Sequence, residues 1–181
     1  MFFEFALLGV VVGWLRGGRI KHLAAKIPVL PALVFLALII QGSLVFLSGT
    51  FDLLSVYSSY IHAFSYVLLL SFALWNRKLP GMPVVALGVF LNFLVIALNG
   101  GTMPVSTAGM PPEVLERLAE SVLHSAAAPG TRLAFLGDVV PAIGRGKISP
   151  GDILMGAGVF FYLQQAMQRK RERGTRSFRH R

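Results

Sequence analysis

The chain has 181 residues, 55% of them hydrophobic and only 14% charged, with a mean hydropathy of +0.68 and no cysteine. A soluble domain carries about 25% charged residues, so this composition points to lipid as the solvent and to a single domain; the missing thiols exclude disulfides, cysteine nucleophiles and cysteine-ligated metal or iron–sulfur centres. The formal net charge of +9 is unevenly spread, with a basic tail from Arg169 to Arg181 directly after an apolar segment; a juxtamembrane basic tail is a topology signal and an anionic-lipid contact, and without aromatic interleaving or a recognisable module it gives no nucleic-acid reading.

In chain order, the first apolar segment is Phe2 to Leu15. It lacks the positive n-region and small-residue cleavage site of a signal peptide, so it is read as retained. Gly9 and Gly13 form a GxxxG element, continued by Gly17. Small residues at this spacing let another helix approach closely, either within the chain or from a second copy in a homodimer. Val29 to Leu47 is the second predicted span, with Pro28 and Pro31 near its start, and Val56 to Trp75 is the third. Tyr57, Tyr60 and Trp75 fall where aromatic belts form. Met82 to Leu98 is the fourth, with Pro83 in its first turn and Asn92 inside it.

The stretch Asn99-Gly100-Gly101-Thr102-Met103-Pro104-Val105-Ser106 follows immediately. It opens a long connection, Asn99 to Gly151, and loops beyond about 15 residues usually carry structure or function. Within it, Pro112 to His124 is predicted to be an amphipathic helix, because Leu115, Leu118, Ala119 and Val122 share one face. Leu133 to Ile143 is apolar but too short to span, and reads as interfacial or re-entrant. The fifth span, Ile153 to Met167, is announced by Ser149-Pro150-Gly151-Asp152, with the composition of a capping box.

Charge placement sets the expected topology. Arg16, Arg19, Lys21 and Lys26, then Arg77 and Lys78, then the tail 169–181 fall on one side of a five-span arrangement, while nearly all the acids fall elsewhere. By the positive-inside rule the N-terminus is outside and the C-terminus cytoplasmic in a plasma membrane. The expected fold is therefore an all-α integral membrane protein, with five transmembrane helices and an extracytoplasmic cap.

Candidate chemistry is sparse. Gln41, Ser43, His62, Ser65, Asn92 and Glu4 are among the polar residues inside apolar segments, and in lipid such groups face a bundle interior. Asn92 lies two helical turns before Asn99, giving a potential polar stripe toward Gly100 and Gly101. Gly137-Asp138 and Gly151-Asp152 close the same connection. Asp152 suits a cap; Asp138 has no comparable local role, with Arg145 or Lys147 as expected partners. If the two carboxylates converge, they can share a proton or hold a cation. Ser106, His124 and Asp138 are the outer-side residues that supply a hydrolase triad by type, but no nucleophile-elbow sequence surrounds Ser106. No metal-ligand spacing, phosphate loop or cofactor motif is present.

Asn99-Gly100-Gly101-Thr102-Met103-Pro104-Val105, then Phe135-Leu136-Gly137-Asp138-Val139-Val140-Pro141, then Ser149-Pro150-Gly151-Asp152-Ile153-Leu154 resemble, in order, a family of small bacterial multispanning membrane proteins catalogued as a domain of unknown function. The resemblance implies a bacterial inner-membrane protein and brings no catalytic residues. Function then divides three ways. The first reading is a non-enzymatic membrane component or complex subunit, in contact with the bilayer and with a membrane-protein partner or a second copy. The others are a small-solute, ion or lipid-handling protein using Asn92, Asn99, Asp138 and Asp152, and an enzyme acting on a lipid-linked substrate.

Overall fold

The computed structural model describes residues 2–47, 52–142 and 146–168. The basic tail 169–181 and Arg145, one of the expected partners of Asp138, lie outside them. Five long helices form the body: α1 (Phe2–Leu15), α2 (Ala32–Leu47), α3 (Asp52–Trp75), α4 (Met82–Leu98) and α6 (Pro150–Ala166). They pack as neighbours in the order α2, α3, α4, α6, α1, so the last helix inserts between the fourth and the first. A 3-10 turn at Ile20–Lys26 follows α1.

The cap lies between α4 and α6. It contains β1 (Met103–Val105), α5 (Pro112–Ala119), β2 (His124–Ala126), a 3-10 turn at Ala134–Leu136, and the strands β3 (Val140–Pro141) and β4 (Lys147–Ile148). Strand β1 pairs in parallel with β2, and β3 pairs antiparallel with β4. The all-α expectation is corrected at this point: the molecule is mostly helical, and its cap is organised by short strand pairs. Periodicity could not reveal strands of two or three residues. The amphipathic helix ends at Ala119, not at His124, because Leu123 turns inward and His124 enters β2. Leu133 to Ile143 does not form one interfacial segment; its described part splits into a 3-10 turn, a strand-edge bridge at Asp138 and strand β3.

The span expectation also changes. Val56–Trp75 is long and apolar enough to cross a membrane by length and composition; Phe2–Leu15, Ala32–Leu47 and Met82–Leu98 are apolar but shorter. At 1.5 Å per residue, 14 to 17 residues reach roughly 21–26 Å, short of the ~30 Å of a hydrocarbon core. Helix α2 starts three residues later than expected because Leu30 adopts a left-handed φ of 57°, which breaks the helix before Ala32.

Close helix approach rests on small residues. A Cβ on Gly9 would meet Phe160 backbone at 3.0 Å, and one on Gly13 would meet Met167 Sδ at 2.8 Å and Gln164 Cα at 3.1 Å. The GxxxG face is thus taken up by α6 of the same chain. Gly17 is not part of that face: it has φ +79° with nothing near it, and Gly18 makes the approach to Met167 instead. Gly88 on α4 faces the carbonyl of Gly151 on α6 in an approach that leaves no room for a side chain. Gly88→Ala is therefore expected to lower stability by about 1–3 kcal/mol, as overpacking does. Gly42→Ala, on open surface in α2, should be neutral or slightly stabilising by helix propensity. Thermal unfolding of both variants in detergent checks the contrast.

Candidate functional site

The site is built where α4, α6 and the cap meet. A capping box opens α6: Ser149 Oγ accepts from Asp152 N at 2.9 Å, and Asp152 Oδ2 accepts from Ser149 N at 3.2 Å. Asn92, fully buried in α4, reads the same two residues from across the interface. Its Nδ2 donates to Asp152 Oδ1 at 2.9 Å, and its Oδ1 accepts from Ser149 Oγ at 2.8 Å. Gly151 is required between them, since a Cβ there would occupy the position of Asn92 Oδ1. The node is closed: the Asn92 amide oxygen and both Asp152 carboxylate oxygens have partners, which a low-dielectric interior demands.

Asn99 does not continue a polar stripe from Asn92, because Val95 and Ile96 between them enter an apolar cluster with Met103. Asn99 instead clamps the cap. Its Nδ2 donates to Arg132 O and Val95 O, and its Oδ1 accepts from Arg132 N, all at 2.8–2.9 Å. That clamp precedes Leu133, whose φ of 51° is left-handed and costs energy for a branched side chain. Leu133 packs on the Val95, Ile96 and Met103 cluster, which offsets the cost.

Gly100 and Gly101 supply two consecutive left-handed residues, φ +69° and +86°, that turn the chain off α4. The turn lets Gly101 N reach Ile96 O at 2.9 Å, satisfying a helix-end carbonyl. Gly101 also lies against the backbone of Ser59 with no space for a Cβ, and its carbonyl accepts from His62 Nδ1 at 2.7 Å. An open cleft of about 410 Å³ runs beside it, lined by Val56, Ser59, Tyr60, Ala63, Ala97, Gly100 and Gly101.

Asp138 occupies a different position from Asp152. Its backbone clips onto the free edge of β1: Asp138 N donates to Pro104 O at 2.9 Å, and Asp138 O accepts from Ser106 N at 3.0 Å. Gly137 permits this approach, since a Cβ would strike Pro104 O. The Asp138 side chain is then buried, with the residue 6% exposed. Its Oδ2 lies 3.8 Å from His124 Nε2, and its Oδ1 is buried without a hydrogen-bond partner. Burial pushes the Asp138 carboxyl up to about 7, and the negative charge of Asp152 adds to the rise. Burial also holds the His124 ring below its ordinary range, with Asp152 pulling the other way. His124 Nδ1 lies 3.3 Å from Ser121 Oγ, which also accepts from the His124 backbone N–H.

This arrangement sets a buried carboxyl, raised to about 7 by its burial, 3.8 Å from a partly exposed imidazole. It does not assemble a Ser106–His124–Asp138 triad. Ser106 Oγ accepts from Lys147 Nζ at 3.1 Å, and that ammonium also donates to Ala108 O at 2.8 Å. Lys147 therefore pairs with Ser106 and not, as the sequence suggested, with Asp138. No group of three or more His, Asp or Glu side chains among the described residues is placed to hold a metal ion. Sequence reasoning gave Ser149 only a capping role and missed its bond to Asn92; it also missed Ser121 behind His124. The available signal was weak, since both are single hydroxyls whose partners are distant in sequence or formed by a turn.

Linkage at Asp138 has a definite sign. Between the ordinary carboxyl value of 3.8 and about 7 the folded protein keeps a proton that the unfolded chain has lost. Stability therefore falls as pH rises through that window and levels off above it. His124 opposes the trend near its ordinary 6.5. Asp138→Asn removes the carboxyl term, so it should match the parent near pH 4 and exceed it at pH 8, by up to about 4 kcal/mol. Denaturant unfolding of both proteins at the two pH values checks this; a parent more stable than the variant at pH 8 would reverse the assignment.

Comparison with known proteins gives a family. A protein of Thermotoga maritima described as an uncharacterized protein is 37% identical over 102 residues, covering 54% of this chain and 59% of that relative. The chain thus spans about three fifths of the length of the curated relative it matches. No solved structure matches. Residues 27–164, which include α2 to α4, the whole cap and most of α6, match the family described as a family of unknown function (DUF5317), and the chain belongs to that family.

Proposed function

We propose that the protein is a non-catalytic integral component of a bacterial plasma membrane, with five crossing helices, the N-terminus outside and the cap on the outer face. One observation carries the reading: the outside of the bundle is apolar. Phe3, Trp14, Phe35, Ile39, Phe46 and Val56 are all well over half exposed, Phe46 at 83%. Inside the bundle, by contrast, lie the buried polar side chains of Ser65 on α3, Asn92 on α4 and Gln164 on α6. Water would oppose such an inverted surface, whereas lipid accepts it. The short helices fit a crossing role if flanking apolar residues and local bilayer thinning make up the length.

The non-catalytic part of the reading is supported by how the polar groups are used. Asn92, Ser149 and Asp152 bond one another, Asn99 clamps Arg132, and Ser106 accepts from Lys147. Each is committed to holding the cap and the bundle together. A partner membrane protein or a second copy would meet the exposed faces of α1 or α2.

A second reading, proton or small-solute handling through the cap, is supported by the unpartnered buried Oδ1 of Asp138. Proteoliposomes carrying a pH-sensitive dye separate the two. The first reading predicts no proton flux above protein-free vesicles; flux that disappears in Asp138→Asn would replace it with the second.

Topology is tested with single cysteines, which the natural chain lacks. Ala128 in the cap and Lys78 at the opposite end are both exposed. In intact cells Ala128→Cys should react with an impermeant maleimide, and Lys78→Cys only after permeabilisation. The reverse pattern would invert the orientation, and reaction of both in intact cells would remove the crossing model.

A further inference from the structure

The end of the bundle opposite the cap carries an open cleft of about 530 Å³ lined by Ser71, Leu74, Trp75, Arg77 and Lys78. It lies at the junction of α3 with the turn into α4. Arg77 and Lys78 are exposed, and no acidic side chain among the described residues pairs with either. A helix C-terminus favours nearby cations, which accounts for their sign but not for a cleft beside them. The neighbouring surface is apolar: Trp75 is 69% exposed and Leu74 48%. Ser71 donates its hydroxyl hydrogen to Val67 O at 2.8 Å, so toward the cleft it offers only an acceptor. Two free cations stand next to an exposed indole and leucine on the helix of membrane-spanning length. That is the chemistry of a phosphate joined to hydrocarbon: guanidinium and ammonium meet the charge, and the indole sits at headgroup depth.

We propose that this cleft binds the headgroup of an anionic glycerophospholipid, with Arg77 and Lys78 holding the phosphate and Trp75 and Leu74 flanking the start of the acyl chains. The proposal rests on the membrane reading above. A free phosphate ion would satisfy the cations but leave the Trp75 and Leu74 surface unexplained, so the lipid is the assigned ligand. Anionic lipid attraction gains roughly five-fold in affinity per basic residue near the surface. Binding in the cleft adds selection at one place on the chain.

The chain has two tryptophans, Trp14 and Trp75. Trp14→Phe leaves Trp75 as the sole indole. This protein is reconstituted into phosphatidylcholine vesicles containing phosphatidylglycerol, with brominated chains on one lipid or the other, and Trp75 fluorescence is read. Brominated phosphatidylglycerol is expected to quench several-fold more, per mole present, than brominated phosphatidylcholine. In an added Arg77→Gln/Lys78→Gln pair the preference should fall several-fold while quenching itself persists. Equal quenching by both lipids, or a preference undiminished by the double substitution, overturns the site while leaving the membrane reading intact. Quenching by neither lipid overturns both. Inorganic phosphate shifting Trp75 emission in detergent, with no lipid preference in vesicles, marks a free-phosphate site and overturns the lipid assignment.

Discussion

The structure depends on one buried side-chain amide. Asn92 sits mid-helix on α4, fully enclosed, and spends its carbonyl oxygen on Ser149 and its amide on Asp152. Those two residues are the reciprocal members of the capping box that starts α6. One asparagine thus joins the fourth helix to the exit of the cap and to the entry of the last helix. Its polar cost in an apolar interior is offset only if every partner is present, so the node fixes one register between α4 and α6. Gly88 and Gly151 follow from it, since the backbones must approach closely for the amide to reach.

Around that node the cap is fastened by side chains that mimic backbone. Asn99 brackets Arg132 with a paired donor and acceptor, His62 holds the carbonyl of Gly101, and the main chain of Asp138 extends β1. The opposite end uses the same device: Asn76 pairs with both the N–H and the carbonyl of Val29. These contacts consume the polar residues that composition had left as candidates for chemistry. Asp138 stands apart. Its backbone is structural, but its carboxyl is buried beside His124 with one oxygen unpartnered. Burial raises that carboxyl toward neutrality, and fastening the cap does not explain it.

Much of this was legible where the signal is local or periodic. The apolar runs located four of the helices closely, and Ser149-Pro150-Gly151-Asp152 located the start of the fifth, because a capping box closes within four residues. The paired glycines after Asn99 marked the turn because only left-handed backbone needs them there. Long-range events were not legible. Nothing local in Asn92 tells that Ser149 and Asp152 will meet it, and strands as short as β2 leave no alternation to detect. The pairing of Lys147 with Ser106 instead of Asp138 shows the same limit, since charge complementarity proposes a partner and the chain path selects another. Helix α5 was found but overextended, because the apolar positions Val122 and Leu123 continue its pattern after the backbone has turned.

The coupling energy within the Asn92 node is the most direct test. A double-mutant cycle of Asn92→Ala and Ser149→Ala, read by equilibrium unfolding in detergent, measures it. A bond formed at full burial should appear as a coupling of about 1–2 kcal/mol, with Asn92→Ala alone the more damaging change because it also strands Asp152. Free energies that add within about 0.3–0.5 kcal/mol would show that the two residues act independently, and the account of a single amide joining α4, α6 and the cap would be contradicted.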